Sequence, residues 1–220
     1  MKSYLIDNLS LFEYNGKASQ PKIPNKIISI EDSAFSDCET ITSLKIPNCV
    51  TFIGPYAFAR CYNLTSIEIP NSVDTICNFA FVKCISLSNI KIPSSVTYIG
   101  YNAFDEIKQV KTQYNANGSL RAFKGFKQDW TCRDFKYKVG ESYHKDGKIQ
   151  CCYKGFHACT NPLNVFNYYY GDLRHLHFAE VELSGKMDRE DDKVAASDIR
   201  IVRELSLTEL VEIYHSMEKV

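Results

Sequence analysis

Apolar positions recur through the first half of the chain at one spacing. Ile-Pro stands at Ile23-Pro24, Ile46-Pro47, Ile69-Pro70 and Ile92-Pro93, and Ala-Phe at Ala34-Phe35, Ala57-Phe58, Ala80-Phe81 and Ala103-Phe104. Both pairs keep a period of 23 residues without a slip. A fixed period in this range marks a solenoid, in which each unit buries its apolar face only against its neighbours. Each unit holds two short extended pieces. In the first, Leu44 and Ile46, Ile67 and Ile69, and Ile90 and Ile92 alternate with polar residues and point to the core. The proline after each pair has no N–H to donate and ends the strand. The second piece is Val50–Ile53, matched by Val73–Ile76 and Val96–Ile99. Gly54 and Gly100 follow it, where a turn of positive φ is expected. Phe35, Phe58, Phe81 and Phe104 are expected to stack in one buried column.

The period stops after Phe104 and the texture changes. Residues 112–120, TQYNANGSL, are polar and read as a linker or turn. Beyond them the pattern predicts strands at Arg121–Phe126, Tyr137–Val139 and Ile149–Tyr153, with a glycine-containing hairpin at 145–148. Asn161 caps a helix that has Pro162 at its first position and runs to about Tyr170. In a strand over Phe178–Leu183, Ala179, Val181 and Leu183 alternate with Glu180 and Glu182; another strand follows at Ile199–Leu205. Ser206 and Glu209 form a capping box, opening a helix whose apolar face is Leu207, Leu210, Val211, Tyr214 and Met217. The fold class is therefore mixed: a short β-solenoid over 1–111, then a small α+β domain over 120–220. Residues 1–20 and the second domain are expected to cap the solenoid's two ends.

Composition narrows the function classes. At 45% hydrophobic residues the chain supports a packed core, and no apolar run approaches the roughly 18 residues of a membrane helix. The opening MKSYLIDNLSLFEYNG carries acidic residues and is a poor secretory signal, so an intracellular, cytoplasmic protein with no membrane partner is expected. Nine cysteines, an odd number, then read as mostly reduced thiols. Cys38, Cys61 and Cys84 hold one position in three successive units, where a small apolar side chain fills a tight corner. Charge is balanced in each half, ten of each sign through Asn117 and sixteen of each after it. Nucleic-acid binders carry an excess of Lys and Arg, so none is expected as a partner.

Candidate chemistry divides the same way. Lys45, Glu68 and Lys91 mark the exposed face of the repeats, and in register their alternating signs neutralise one another. All five histidines and Trp130 lie in the second half. Cys132, Cys151, Cys152, His157 and Cys159, with His175 and His177, do not follow the paired spacing of structural zinc, and no metal is expected. Cys132 or Cys159 beside His157 would make a nucleophile pair, but no third group orients the base. The favoured ligand position is Lys154, Gly155, Phe156 and His157, leading into the helix at Pro162. Glycine there lets the backbone approach an anion, free amides favour it, and His157 can donate to it. The plainer reading makes Gly155 a tight bend and His157 a satisfied core residue. Tyr168, Tyr169 and Tyr170 suggest a stacking surface, although three consecutive helical residues cannot share one face.

The repeat resembles the BspA-type leucine-rich repeat over residues 20–110, a class found in bacterial surface proteins and in protist and phage proteins. The resemblance implies a recognition scaffold for a protein partner. The run Ala122-Phe123-Lys124-Gly125-Phe126, then Trp130-Thr131-Cys132-Arg133, then Gly155-Phe156-His157-Ala158-Cys159 with Asn161-Pro162, resembles an uncharacterised domain of phage and bacterial genomes over residues 120–210. That resemblance brings no activity with it; its phage side implies a gene of a phage or mobile element. The same stretch is similar to a degenerate ADP-ribosyltransferase, which implies NAD as cofactor, with Arg121 or Lys124, Phe156 and His157, and Glu180 or Glu182 as its acid. The leading expectation is a non-enzymatic interaction protein without a cofactor, the second domain offering a further ligand site. The alternative is the NAD-using transferase or an inactive relative.

Overall fold

The computed structural model describes residues 4–133 and 135–220. The chain divides into two units: one through Gln109 with Tyr170–Leu173 and Lys219–Val220, the other Val110–Tyr169 with Arg174–Glu218. In chain order the first unit's strands are Tyr4–Asp7 (β1), Ser10–Tyr14 (β2), Ser29–Ile30 (β3), Ser43–Lys45 (β4), Phe52–Ile53 (β5), Ser66–Glu68 (β6), Thr75–Ile76 (β7), Asn89–Lys91 (β8) and Tyr98–Ile99 (β9). They form two parallel stacks, β2-β3-β5-β7-β9 and β4-β6-β8. From β3 and β4 onward every step pairs residues one period apart, as in Ile30, Ile53, Ile76 and Ile99. The exact repeat allows nothing else, since a slip of one would turn the apolar set outward. Antiparallel β1 pairs with β2 and starts the array; residues 1–3 of the expected cap lie outside the described residues.

Between the stacks runs the expected aromatic column. Phe35, Phe58, Phe81 and Phe104 are each fully buried, their rings 5.0, 5.1 and 5.5 Å apart and nearly parallel. Beside it the Cys61 thiol donates to the Phe35 carbonyl at 3.0 Å and Cys84 to that of Phe58 at 3.1 Å. All nine cysteines are free. The second extended piece is shorter than its pattern suggests, two residues per coil, because Val50, Val73 and Val96 instead close turns onto Pro47, Pro70 and Pro93. The glycine expectation is also corrected. Positive φ falls on two columns of other residues: Ser33, Tyr56, Phe79 and Asn102, and Asp37, Arg60, Lys83 and Glu106. Gly54 and Gly100 are needed for space: a Cβ on Gly100 would lie 2.3 Å from the Asn78 nitrogen, and one on Gly54 2.8 Å from the Glu31 carbonyl carbon.

The second unit opens on Gln113–Tyr114 (β10) and Leu120–Lys127 (β11), which pair antiparallel. The expected linker is thus the turn of a hairpin, with Gly118 at φ +80. Thr131–Cys132 (β12), Phe135–Lys136 (β13), Ser142–His144 (β14) and Phe156–Cys159 (β15) follow. The expected strand at Ile149–Tyr153 is a turn closed between Gln150 and Lys154, and Tyr137 packs in the core outside any strand. The helix after Asn161 is a 3-10 helix confined to Pro162–Asn167, capped by Asn161 as expected. All six of its residues are buried, so it lacks the wet face of an amphipathic α-helix. Gly171–Asp172 (β16) belongs to the first unit and pairs with β9. Leu176–Glu190 (β17) and Lys193–Leu205 (β18) form one long hairpin, followed by Leu207–Ser216 (α1) with its capping box in place.

Strands β11, β17, β18 and β15 pair in a closed circuit, sealed between β11 and β15 by Phe123 opposite Cys159. Its interior is a core of Leu120, Ala122 and Phe126 with Phe156, Ala158, Val181, Val194 and Ile201. Phe123 and Phe178 are buried too, and Phe178 meets Phe166 of the 3-10 helix at 5.3 Å. The β11 strand is therefore buried on both faces.

Candidate functional site

Alternation along β11 places Lys124 in phase with Leu120, Ala122 and Phe126, facing inward. Its side chain is fully enclosed. Nζ donates to the His157 carbonyl at 2.8 Å and to Cys132 Sγ at 3.3 Å. The rings of Phe126, Tyr137 and Tyr169 stand 5.6 to 5.9 Å away and present their faces to it. Burial lowers the Lys124 pKa, only partly offset by Cys132. Cys132 Sγ also lies 2.7 Å from the Tyr169 hydroxyl, whose own pKa burial raises. Tyr169 fits because Gly125 has no Cβ; one there would sit 2.3 Å from the ring's Cγ. An amine, a thiol and a phenol thus converge at one point inside the circuit of strands.

His157 lies on the opposite face of β15 from Phe156 and Ala158. Burial pushes its pKa down to about 4, helped by Lys124, Arg133 and Lys193, so the imidazole is neutral. Its Nε2 is buried without a hydrogen-bond partner, as are Asn161 Nδ2 and Asn164 Oδ1 among the described residues. Around it, Gly155 and Phe156 follow the plainer reading of a bend and a packed core. Phe156 is a core residue, 3% exposed. Gly155, at φ +132, packs against Ile149 and Ala195 and serves the bend. Lys154 is exposed. No α-helical N-terminus follows them, because the 3-10 helix is only six residues long.

Glu180 and Glu182 sit on β17 on the far side of β11 from His157. Glu180 receives Arg121 at 2.6 Å and Arg203 at 3.1 Å. Glu182 faces a groove of about 670 Å³ that also holds His144, Asp198 and Arg200. Buried Phe123 pairs with Glu180 on one side and Cys159 on the other, so the structure does not bring His157 together with either acid. Cys159 is fully buried and its pKa is raised by burial. On the repeats Lys45, Glu68 and Lys91 stand in register on β4, β6 and β8, with Lys45 3.7 Å from Glu68. Lys45 also borders a groove of about 750 Å³ against Pro21 and Lys22.

Sequence reasoning missed a second aromatic column on the first unit's surface. Tyr56 stacks on Phe79 at 4.9 Å and 8°, Phe79 meets Tyr101 edge-on at 5.4 Å, and Tyr101 meets Tyr170 at 5.1 Å. Tyr56 and Tyr101 are each 39% exposed and Tyr170 49%. Spacing was a usable signal for the first pair, since Tyr56 and Phe79 are one period apart.

Residues 8–124, more than half the chain, match the BspA type leucine rich repeat region, described as six copies. The chain belongs to that family. Residues 120–213 of this BspA-type protein match a domain of unknown function, DUF7666. Three solved leucine-rich repeat proteins are similar to it. One from T. pallidum is 31% identical over 43% of this chain and 47% of its own, with a TM-score of 0.43. One from Bacteroides ovatus is 32% identical over 46% and 28%, with a TM-score of 0.41. A leucine rich cell surface protein from Faecalibacterium prausnitzii is 33% identical over 44% and 32%, with a TM-score of 0.35. The chain spans about half the length of the first of these and less of the others. No curated protein matches it. Repeat arrays of this type generally serve as protein-interaction scaffolds. No described helix is long and apolar enough to cross a membrane.

Proposed function

We propose that this BspA-type chain is a non-enzymatic protein-binding scaffold whose recognition surface is the exposed aromatic column Tyr56, Phe79, Tyr101 and Tyr170. One observation carries the reading. Tyr56 and Phe79 keep bulky aromatic side chains at backbone positions of φ +52 and +58. Glycine or asparagine would adopt that conformation at far lower cost. Backbone preference therefore does not account for the rings, and neither does burial, since Tyr56 is 39% exposed. Half-exposed tyrosines in a preformed row offer large contact area with little rotamer entropy to lose, which is what interface anchors require. The charged ladder Lys45, Glu68 and Lys91 is self-compensating and supplies register rather than attraction.

The test is capture of a partner from the native host by the immobilised full chain, comparing variants of equal thermal stability. Tyr56→Ser with Tyr101→Ser is expected to weaken capture at least about tenfold, the size of one lost anchor. Lys45→Ala is expected to leave it unchanged. Capture that survives the tyrosine pair and fails in Lys45→Ala would move the recognition surface to the charged ladder.

A further inference from the structure

We infer that Cys151, Cys152 and Glu190 form a binding site for one soft divalent metal ion of the zinc and cadmium class. The three ligand atoms lie within 4.8 Å of one another although Glu190 is 38 residues away in sequence. The turn at 150–154 and the far end of the β17–β18 hairpin bring them together. Gln150 and Lys154 exchange two backbone hydrogen bonds of 2.8 Å, and the Cys151 N–H donates to Asp188 Oδ2, also at 2.8 Å. Glu190 is the last residue of β17, opposite Lys193. Its Oε2 already accepts from Cys152 Sγ at 3.3 Å. Cys151 is 5% exposed, whereas Cys152 and Glu190 are exposed, so an ion has an approach path and two ligands free to adjust.

Distances and charge both suit such an ion. Tetrahedral zinc, with bonds of about 2.3 Å to sulfur and 2.0–2.2 Å to oxygen, sets its ligands roughly 3.4–3.8 Å apart. The present spread of at most 4.8 Å exceeds that by about 1 Å, and the exposed Cys152 and Glu190 side chains are the ones free to move. Once both thiols ionise, the ligands carry three negative charges and Asp188 a fourth. Lys193 Nζ, 3.6 Å from Cys152 Sγ, and Arg133, bonded to the Cys152 carbonyl at 3.3 Å, answer two of them. A dication answers the remaining two. Two thiolates select soft ions over magnesium or calcium. Three protein ligands leave a fourth position for water, and the bound ion would tie the 150–154 turn to the hairpin tip.

The experiment uses the full-length chain, reduced and stripped of metal with a chelator, titrated with cadmium as the probe. Expected is one equivalent bound per chain, seen as cadmium–thiolate charge-transfer absorption, with about two protons released. Cys152→Ser should abolish that equivalent, and Glu190→Gln should weaken it about tenfold or more. Cys49→Ser, which touches a thiol in the repeats, should change neither. Both key variants are at exposed positions, so folding survives them. No absorption at one equivalent, or a signal indifferent to Cys152→Ser or Glu190→Gln, overturns the assignment. Recovery of Cys151 and Cys152 as a mutual disulfide that resists the reductant, leaving no cadmium bound to the folded chain, also overturns it.

Discussion

Replacing Phe58 with alanine tests the internal column where it is most constrained. Phe58 is fully buried between Phe35 at 5.0 Å and Phe81 at 5.1 Å, with the three rings within 13° of parallel. The substitution removes a buried aromatic ring, worth about 2–3 kcal/mol in transfer free energy. The coils on either side are held by backbone hydrogen bonds such as Phe58 N to Ala80 O at 2.8 Å, so they cannot close the gap. A void of roughly 100 Å³ adds about 2.4 kcal/mol at 24 cal/mol per Å³. The expected loss is therefore about 4–5 kcal/mol, at the upper end for a buried Phe→Ala change. Urea denaturation followed by circular dichroism and fluorescence should show a lower midpoint at unchanged slope. Phe58→Leu keeps most of the volume and should cost only about 1–2 kcal/mol. A Phe58→Ala loss below about 1 kcal/mol, or equal losses for Ala and Leu, would refute the rigid stacked core.

The other expected outcomes follow from single contacts. Gly100→Ala should destabilise the chain by about 3 kcal/mol or more in the same assay, because its Cβ would meet the Asn78 backbone at 2.3 Å and only backbone movement relieves that; a neutral result would show that the coils can slide apart. Alkylation followed by mass spectrometry should label exposed Cys152 in the native protein, and Cys61 and Cys84 only after unfolding; the neighbouring Cys84 and burial hold the Cys61 thiol far above its usual range. Lys124→Met should remove a pH dependence. The folded-state pKa of Lys124 lies below its unfolded value, so the unfolded chain binds the extra proton, and wild-type stability gains up to about 1.4 kcal/mol per pH unit from that depressed pKa up to about 10.4. Buried tyrosines and thiols pull the other way at high pH, so the readout is the wild-type-minus-variant difference in urea midpoint. A difference that stays flat or falls with pH would mean the amine is charged in the fold.

The repeats were legible because one signal is printed four times: a coil that must stack on its copy has to repeat its core residues at equal spacing, and no local propensity competes with that. Gly54 shows where pattern alone misleads, since a glycine after a strand signals either positive φ or a close approach, and only the neighbouring coil decides which. The second unit offers no such redundancy. Its two longest strands run beyond their legible alternation because β17 shifts register between Ser184 and Met187, which breaks the two-residue pattern. The Asn161 cap of the Pro162 helix is legible, but its 3-10 form is not, because Asn164 and Asn167 are polar by type and yet buried.

Lys124 is the more instructive case. Alternation along Leu120, Ala122, Lys124 and Phe126 says that it points inward, while residue type says that a lysine does not. The structure follows the alternation, because reversing one residue of β11 would turn its whole apolar set outward. The cost of enclosing an amine is met locally by the His157 carbonyl, the Cys132 sulfur and three ring faces. In β11, buried on both faces, strand phase outweighs side-chain preference, and such a conflict marks a place to look for chemistry. The Cys151, Cys152 and Glu190 cluster lies beyond any such rule. Its third ligand joins the pair through a hairpin whose length and register had to be known first, so spacing along the chain carried no sign of it.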